Sequence, residues 1–541
     1  MGYVLLWIEC LTGSLLFVAL MLAMIGRLRR RWLRNTLAAA AFLPPLSVLL
    51  LWTFVAAVLR AYTDRWFAPA VILTGCYCIG AVGLWWRALR CADEQAVTTA
   101  AGWPRCKLAV GFGGAIVAAM ATVWIIDIQI QQRLLEIRAE ARALALSVAP
   151  PTLPDAENAA LVYAEAFEAM EMPGPADDAW LTKWYGRADR AALSDDDLQD
   201  AALDSFLQSK ASALALLREA ASVIDCSFDH RYCQKTYDMM VPEFDDLRHA
   251  AEYLYLSARW NIAHDKSAAA MEDINAMLGM VDHVASEPLT LHASLAARID
   301  RCALLALQAL LGTFGSTPDE LAAIHLRPTP DFRKTLQRSL RSEEAFTLGA
   351  ACEIGLGADF NALWYGGCGE PLYDLPACEQ VYRLFVLEGD LAASRRYWRE
   401  CDAALREQST GSRGAAGDRL AQWRNGLLTR LLGPAVTAFA HSCTVADARR
   451  RVARTALAAA KFQAEERELP ESLDELVPDF LLAVPFDPFD GKPLRMKRTA
   501  RGIVVYSIGP DGIDDGGKPL DEPDKTGDIT FELPDRKPPA I

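Results

Sequence analysis

The sequence predicts an all-α N-terminal membrane part of four transmembrane helices, an all-α helical-array extracytoplasmic domain, and a small α+β C-terminal module. Three observations predict it. Four long apolar segments fall within the first ~130 residues, apolar residues from about 155 to 440 recur at the helical period, and the last hundred residues switch to a helix followed by short strand patterns with Gly- and Pro-rich turns. A chain of 541 residues with 52% apolar residues is too long for one ordinary domain and rich in apolar side chains for its size.

The apolar segments run over 3–25, 37–59, 67–86 and 108–128. Each is close to the ~20 residues that a helix needs to cross the hydrocarbon. The first is not a cleavable signal, because no Lys or Arg precedes it and Arg27, Arg29, Arg30, Arg31 and Arg34 follow it. With Arg87, Arg90, Arg105 and Lys107 in the third loop against Arg60 and Arg65 in the second, the positive-inside rule puts the first and third loops in the cytoplasm. Both termini, and residues 131–541, are then expected outside a bacterial cytoplasmic (inner) membrane. No Asp, Glu, Lys or Arg is central to a span, so the segments read as an anchor rather than an ion pathway. The net charge of −14 gives no field for a phosphate backbone, which argues against nucleic acid and leaves the lipid bilayer and other envelope proteins as expected partners.

Along the chain the expected divisions are 1–130 for the spans, 131–154 for a stalk and linker, 155–440 for the helical array, 441–536 for the C-terminal module and 537–541 for a tail. The stalk keeps helical periodicity until APPTLP at 149–154 ends it. In the array, Leu247, Ala250, Ala251, Leu254 and Ala258 form one apolar stripe, and Ala270, Ile274, Met277, Leu278 and Val281 form the next. A third helix follows Pro288, so that 246–312 reads as stacked antiparallel hairpins. Helix length and spacing resemble a tetratricopeptide-type solenoid, but no 34-residue signature recurs, and a plain helical array is the expectation. The Gly-, Cys- and aromatic-rich stretch 350–377 reads as a long loop.

Of thirteen cysteines, eight follow residue 107. Cys226 with Cys233 and Cys368 with Cys378 are the pairs closest in sequence. Cys226, His230 and Cys233 also read as a three-ligand zinc corner, but no fourth ligand is evident and a disulfide or free thiols are preferred. The seven histidines, at 230, 249, 264, 283, 292, 325 and 441, include no i, i+4 pair. HExxH, GxSxG and P-loop motifs are absent as well, so no catalytic residue is assigned. Glu343 and Glu344 read as a solvated helix start.

In the C-terminal module a long helix leads into ELPESLDELVPDFLLAVPFDPFDGKPLRM and GIVVYSIGPDG, with strands expected at about 493–499, 502–508 and 528–533. Leu469, Pro470, Ser472, Leu473, Leu476, Val477, Pro478, Phe480, Pro485, Asp487, Pro488, Gly491 and Pro493, followed by Ser507, Gly509, Pro510, Asp511 and Gly512, give this stretch its pattern. It resembles the globular head of the type II secretion major pseudopilin, over about 100 residues. The pseudopilin's processing site and membrane-inserted helix have no counterpart in the module, and the rest of the chain resembles uncharacterised bacterial multi-span envelope proteins. Six aspartates crowd 511–528 among glycines that free the backbone to turn. The resemblance implies a Ca²⁺ site in this loop, with Asp511, Asp514, Asp515 and Asp528 supplying oxygens. The expected function is that of an anchored scaffold or binding protein of the bacterial envelope. A hydrolase with its site in the helical domain and an accessory component of a secretion or pilus-like machine are the alternatives.

Overall fold

The computed structural model describes residues 128–170, 193, 195–228, 230, 241–313, 321–322, 324, 332–355, 387–406, 436–521 and 526–535. Among them the chain is mostly helical, with a three-stranded sheet near the C-terminus. Helix α1 covers 128–148. It is followed by α2 (Ala159–Met170), α3 (Ala201–Ser209), α4 (Ala211–Ser222), α5 (Glu243–Ala263), α6 (Ser267–Ser286), α7 (Thr290–Thr313), α8 (Phe332–Gly355), α9 (Leu387–Arg406) and α10 (Val436–Glu466). The strands are β1 (Arg495–Thr499), β2 (Gly502–Ser507) and β3 (Ile529–Pro534).

No helix among the described residues is long and apolar enough to cross a membrane. This overturns the expected fold class with its four transmembrane helices, and with it the inner-membrane location and the extracytoplasmic placement of 131–541. The physical reason lies in how the helices distribute charge. Helix α5 has the length of a span, yet Glu243, Asp245, Asp246, Arg248, Glu252 and Arg259 interrupt it; each would cost several kcal/mol in hydrocarbon, on the order of 2.5–3.5 for an Asp or Arg at the centre. Segments 3–25, 37–59, 67–86 and 108–128 lie outside the described residues but for residue 128.

The chain divides into two compact units. One comprises Met1–Arg142, Phe346–Arg396 and Trp423–Leu432. Its described core joins Leu134, Ile137 and Ala141 of α1 to Leu348, Ala351 and Cys352 of α8 and to Leu387 and Leu391 of α9. Arg395 donates to Glu140 at 2.6 Å at its edge.

The second unit is Ala143–Ala345, Tyr397–Gln422 and Gly433–Ile541. Its centre is the mutually packed trio α5, α6 and α7. Leu247, Ala250, Ala251, Leu254 and Ala258 of α5 are buried, as are Ala270, Ile274, Met277, Leu278 and Val281 of α6. The two apolar stripes therefore meet the core that the helical period demands. Between α5 and α6 the chain reverses at Asp265, whose φ of 58° is the left-handed conformation that Asp tolerates better than most residues. Between α6 and α7 only Glu287, Pro288 and Leu289 intervene, so the end of one helix and the start of the next stay close. Helices α2 and α4 pair with each other, and α4 also packs on α6.

Helix α10 lies on α7 and supports β2 and β3, while β3 also touches α7. The sheet is antiparallel in the order β1-β2-β3, with Val505 opposite Met496 on one side and Phe531 on the other. Every residue of the central strand β2 is buried. Asp487, in the segment before β1, accepts hydrogen bonds from the Phe489 amide and the Ser507 hydroxyl on Oδ1 and from the Ile508 amide on Oδ2, each at 2.9 Å. One buried carboxylate thus ties the two halves of the module's sequence pattern together. At Gly509, φ is +71° and a Cβ would collide with the Gly527 carbonyl oxygen, a position that glycine alone fills without strain.

Candidate metal centre

The candidate site lies in the second unit, where four segments meet at the ends of α5, α6 and α7. The segment that leaves α4, Val223–His230, is held on both sides. Asn158 accepts on Oδ1 from the Ser227 amide at 2.9 Å and donates from Nδ2 to the Ser227 carbonyl at 3.0 Å. On the other side His283 Nε2 donates to the Val223 carbonyl at 3.0 Å. That bond leaves Nδ1 as the acceptor, so the Tyr163 hydroxyl donates to it, also at 3.0 Å. Ser286 reaches the Cys226 carbonyl, and the Phe228 amide donates to Glu287 Oε1 at 2.9 Å. Thus fixed, the segment ends by presenting His230.

Glu243 is the first residue of α5 and follows Pro242, which cannot continue a helix backward; a carboxylate is favoured at a helix N-terminus. His292 stands in the first turn of α7, after Pro288. The three side chains converge. His230 Nε2 lies 3.0 Å from Glu243 Oε1, and His292 Nε2 lies 3.1 Å from the same oxygen. The imidazole rings meet edge to face with centroids 5.4 Å apart, and Phe228 packs against both. Glu287, which caps α6, puts Oε2 3.9 Å from His230 Nε2. His230, Glu243, Glu287 and His292 are all buried.

Burial by itself would push the Glu243 carboxyl up. Hydrogen bonds from His230 and His292, with the charge of His230, outweigh it and bring the carboxyl down to about 2. Glu243 is therefore ionised at neutral pH and available as a ligand. The neighbouring Cys226 thiol is pushed the other way, by burial first and then by the negative charges of Glu287 and Glu243. It is a buried free thiol and not a thiolate.

Two imidazole nitrogens and one carboxylate oxygen, each from a different segment, lie within 4.8 Å of one another, the only such group of three among the described residues. A tetrahedral ion with bonds of ~2.1 Å sets its ligand atoms about 3.4 Å apart, so small side-chain shifts suffice to seat it. The donor set suits a divalent transition ion such as zinc better than Ca²⁺, which prefers oxygens alone.

Sequence spacing offers a different three-ligand corner, for which a disulfide or free thiols are the preferred reading. Of Cys226, His230 and Cys233, only His230 enters the cluster; Cys226 is free and Cys233 lies outside the described residues. Helical spacing had no means of finding this site, since Glu243 is 13 residues from His230 and 49 from His292. The one signal is positional: both Glu243 and His292 fall in the first turn after a proline. Glu343, expected at a solvated helix start, instead lies in the middle of α8 and accepts a hydrogen bond from the Thr290 hydroxyl. Burial raises its pKa against the pull of that bond.

Of the acidic loop, Asp511 accepts from the amides of Ile513 and Gly527, each at 3.0 Å. Asp514 accepts from the Gly516 amide and pairs with Arg495 Nε at 2.9 Å. Asp528 is buried and accepts from the Gly517 amide at 2.6 Å and from the Asp515 amide at 3.4 Å. Burial raises the Asp528 carboxyl, the two amide bonds lower it, and Asp514 and Asp515 raise it again. The loop thus gathers Asp511, Asp514, Asp515 and Asp528 through its own backbone. Residues 522–525 lie outside the described residues.

No protein-family model, no curated protein and no solved structure matches this chain.

Proposed function

We propose that the helical array is a metalloprotein domain that holds one divalent transition-metal ion, zinc foremost, on His230 Nε2, His292 Nε2 and the Glu243 carboxylate, and that the chain serves as a metal-stabilised binding or scaffolding protein. The carrying observation is the convergence of the three donors from three segments onto one point, with both imidazoles turned to the same carboxylate oxygen. An ion there joins the start of α5, the start of α7 and the segment after α4, which no single helix contact does. The C-terminal module supports the scaffolding part of the proposal through its likeness in sequence to a pseudopilin head.

The test is the metal content of the purified full-length chain, with zinc affinity measured against a chromogenic chelator. One zinc per chain, lost in His230→Ala with His292→Ala, is expected. A wild type that takes up no more zinc than the double variant overturns the proposal. A hydrolase is the second reading, favoured by the fact that two histidines and a glutamate are also the ligand set of zinc hydrolases that keep one position open. Turnover of ester or peptide substrates by the zinc-loaded chain, abolished in the same double variant, distinguishes it.

A further inference from the structure

We infer that Asn158 is the positioning residue of this centre: it holds the segment that carries His230 so that the imidazole meets Glu243 and His292. The inference rests on the metal reading above. It adds a residue that acts on the ion through the backbone.

The three donors are not placed alike. Glu243 and His292 stand in the first turns of α5 and α7, where a helix fixes the backbone. His230 stands outside any helix or strand, so its position depends on what holds the chain ahead of it. The Asn158 side chain does this at Ser227, accepting the amide on Oδ1 at 2.9 Å and donating from Nδ2 to the carbonyl at 3.0 Å. Beside it the Ala159 amide donates to the Asp225 carbonyl at 3.0 Å. The side chain thus pairs with Ser227 as the neighbouring strand of a ladder would. Of the short residues that cap helices, only asparagine can, because its planar amide offers both an acceptor and donors. The same Oδ1 accepts the Ala160 amide at 3.1 Å and so caps α2. Two amides facing one oxygen fix which way the group is turned.

The three residues from Ser227 to His230 pass this placement on. The Phe228 amide donates to Glu287 Oε1 at 2.9 Å, the His230 amide donates to the Phe228 carbonyl at 2.7 Å, and the Phe228 ring packs against both imidazoles. A shift at Ser227 therefore moves His230 relative to Glu243 and His292. Linkage runs both ways, so an ion that holds His230 also fastens the start of α2.

Asn158→Ser in the full-length chain separates the two tasks of this side chain, since serine caps a helix as well as asparagine but cannot bridge both groups of Ser227. In chelator the variant should melt near wild type. Its zinc affinity, measured by competition well below the melting temperature, should fall about tenfold, the lower end of what losing a supporting contact costs a metal site. With saturating Co²⁺ in place of zinc its visible spectrum should shift, because His230 meets the ion in a different geometry. A folded variant that binds zinc as tightly as wild type, whatever its melting temperature in chelator, shows that Asn158 serves the fold alone, and overturns its role while the metal reading stands. A variant with no folded form does the same. A wild type that binds neither zinc nor cobalt overturns both.

Discussion

Asp300 of α7 and Arg450 of α10 form an ion pair in which each side chain is 1% exposed, with Arg450 Nε donating to Asp300 Oδ1 at 2.8 Å. The pair fastens the long helix of the C-terminal module to the central trio. The face of α10 that carries Arg450 is therefore occupied within the chain, so the module is an integral part of its unit. Removing one partner leaves the other charge buried, and Arg450→Met alone should lower unfolding free energy by about 3–5 kcal/mol in urea denaturation. Adding Asp300→Leu should restore much of that loss. A single variant as stable as wild type would mean that the pair does not hold α10 in place.

A second buried carboxylate, Asp273 of α6, accepts from Arg218 Nε of α4 at 2.8 Å and from Ser257 and Asn261 of α5 at 2.7 and 3.0 Å. Burial raises its pKa, and the Arg218 charge with these hydrogen bonds opposes the rise. In Arg218→Met the opposition weakens and the folded-state pKa climbs further above the unfolded one. A group raised on folding loses stability as pH rises through its folded pKa. The deficit of Arg218→Met relative to wild type should therefore be greatest near neutral pH and shrink as pH falls and Asp273 takes up its proton. Equal deficits at pH 7 and at pH 4.5 would show that Arg218 contributes packing and not charge.

Metal removal gives the third expectation. An ion bound only by the folded chain stabilises it by RT ln(1 + [L]/Kd), about 2.7 kcal/mol at a free concentration of 100 Kd. The melting temperature of the full chain should therefore rise with zinc and fall with chelator. His292→Ala should melt at one temperature in both conditions. A zinc-dependent shift of wild-type size in that variant would place the ion elsewhere.

The helices were legible because their information is local. The stripes Leu247 to Ala258 and Ala270 to Val281 mark buried faces by period alone, and Pro288 marks the start of α7 within two residues. The strands expected at 502–508 and 528–533 lie within a residue of Gly502–Ser507 and Ile529–Pro534, since turn glycines bound them. The expected spans fall on 3–25, 37–59, 67–86 and 108–128, outside the described residues but for residue 128, and the described helices, with charges spread through α5, α6 and α7, include none long and apolar enough to cross a membrane. The metal cluster was illegible for a different reason. His230, Glu243 and His292 share no helical face, and only the short α6–α7 connection and the anchoring of Val223–His230 by Asn158 and His283 bring them together.

The last expectation concerns the acidic loop that follows β2. Burial first raises the Asp528 carboxyl, the Gly517 and Asp515 amides lower it, and Asp514 and Asp515 raise it again, while Arg495 pairs with Asp514. Carboxylates already held by backbone amides keep lone pairs for a cation, and Ca²⁺ takes six to eight oxygens in flexible geometry. On the proposal that Asp511, Asp514, Asp515 and Asp528 bind Ca²⁺, the full chain should melt higher with Ca²⁺ than with a Ca²⁺-selective chelator, and the shift should grow with free Ca²⁺ as mass action requires. Asp511→Asn with Asp528→Asn should abolish the shift, while His230→Ala with His292→Ala should leave it intact, because the two sites use different residues in different parts of the unit. Equal melting temperatures with Ca²⁺ and with chelator, or a calcium shift that survives the aspartate pair, would mean that the loop is closed by its own amides and Arg495 alone.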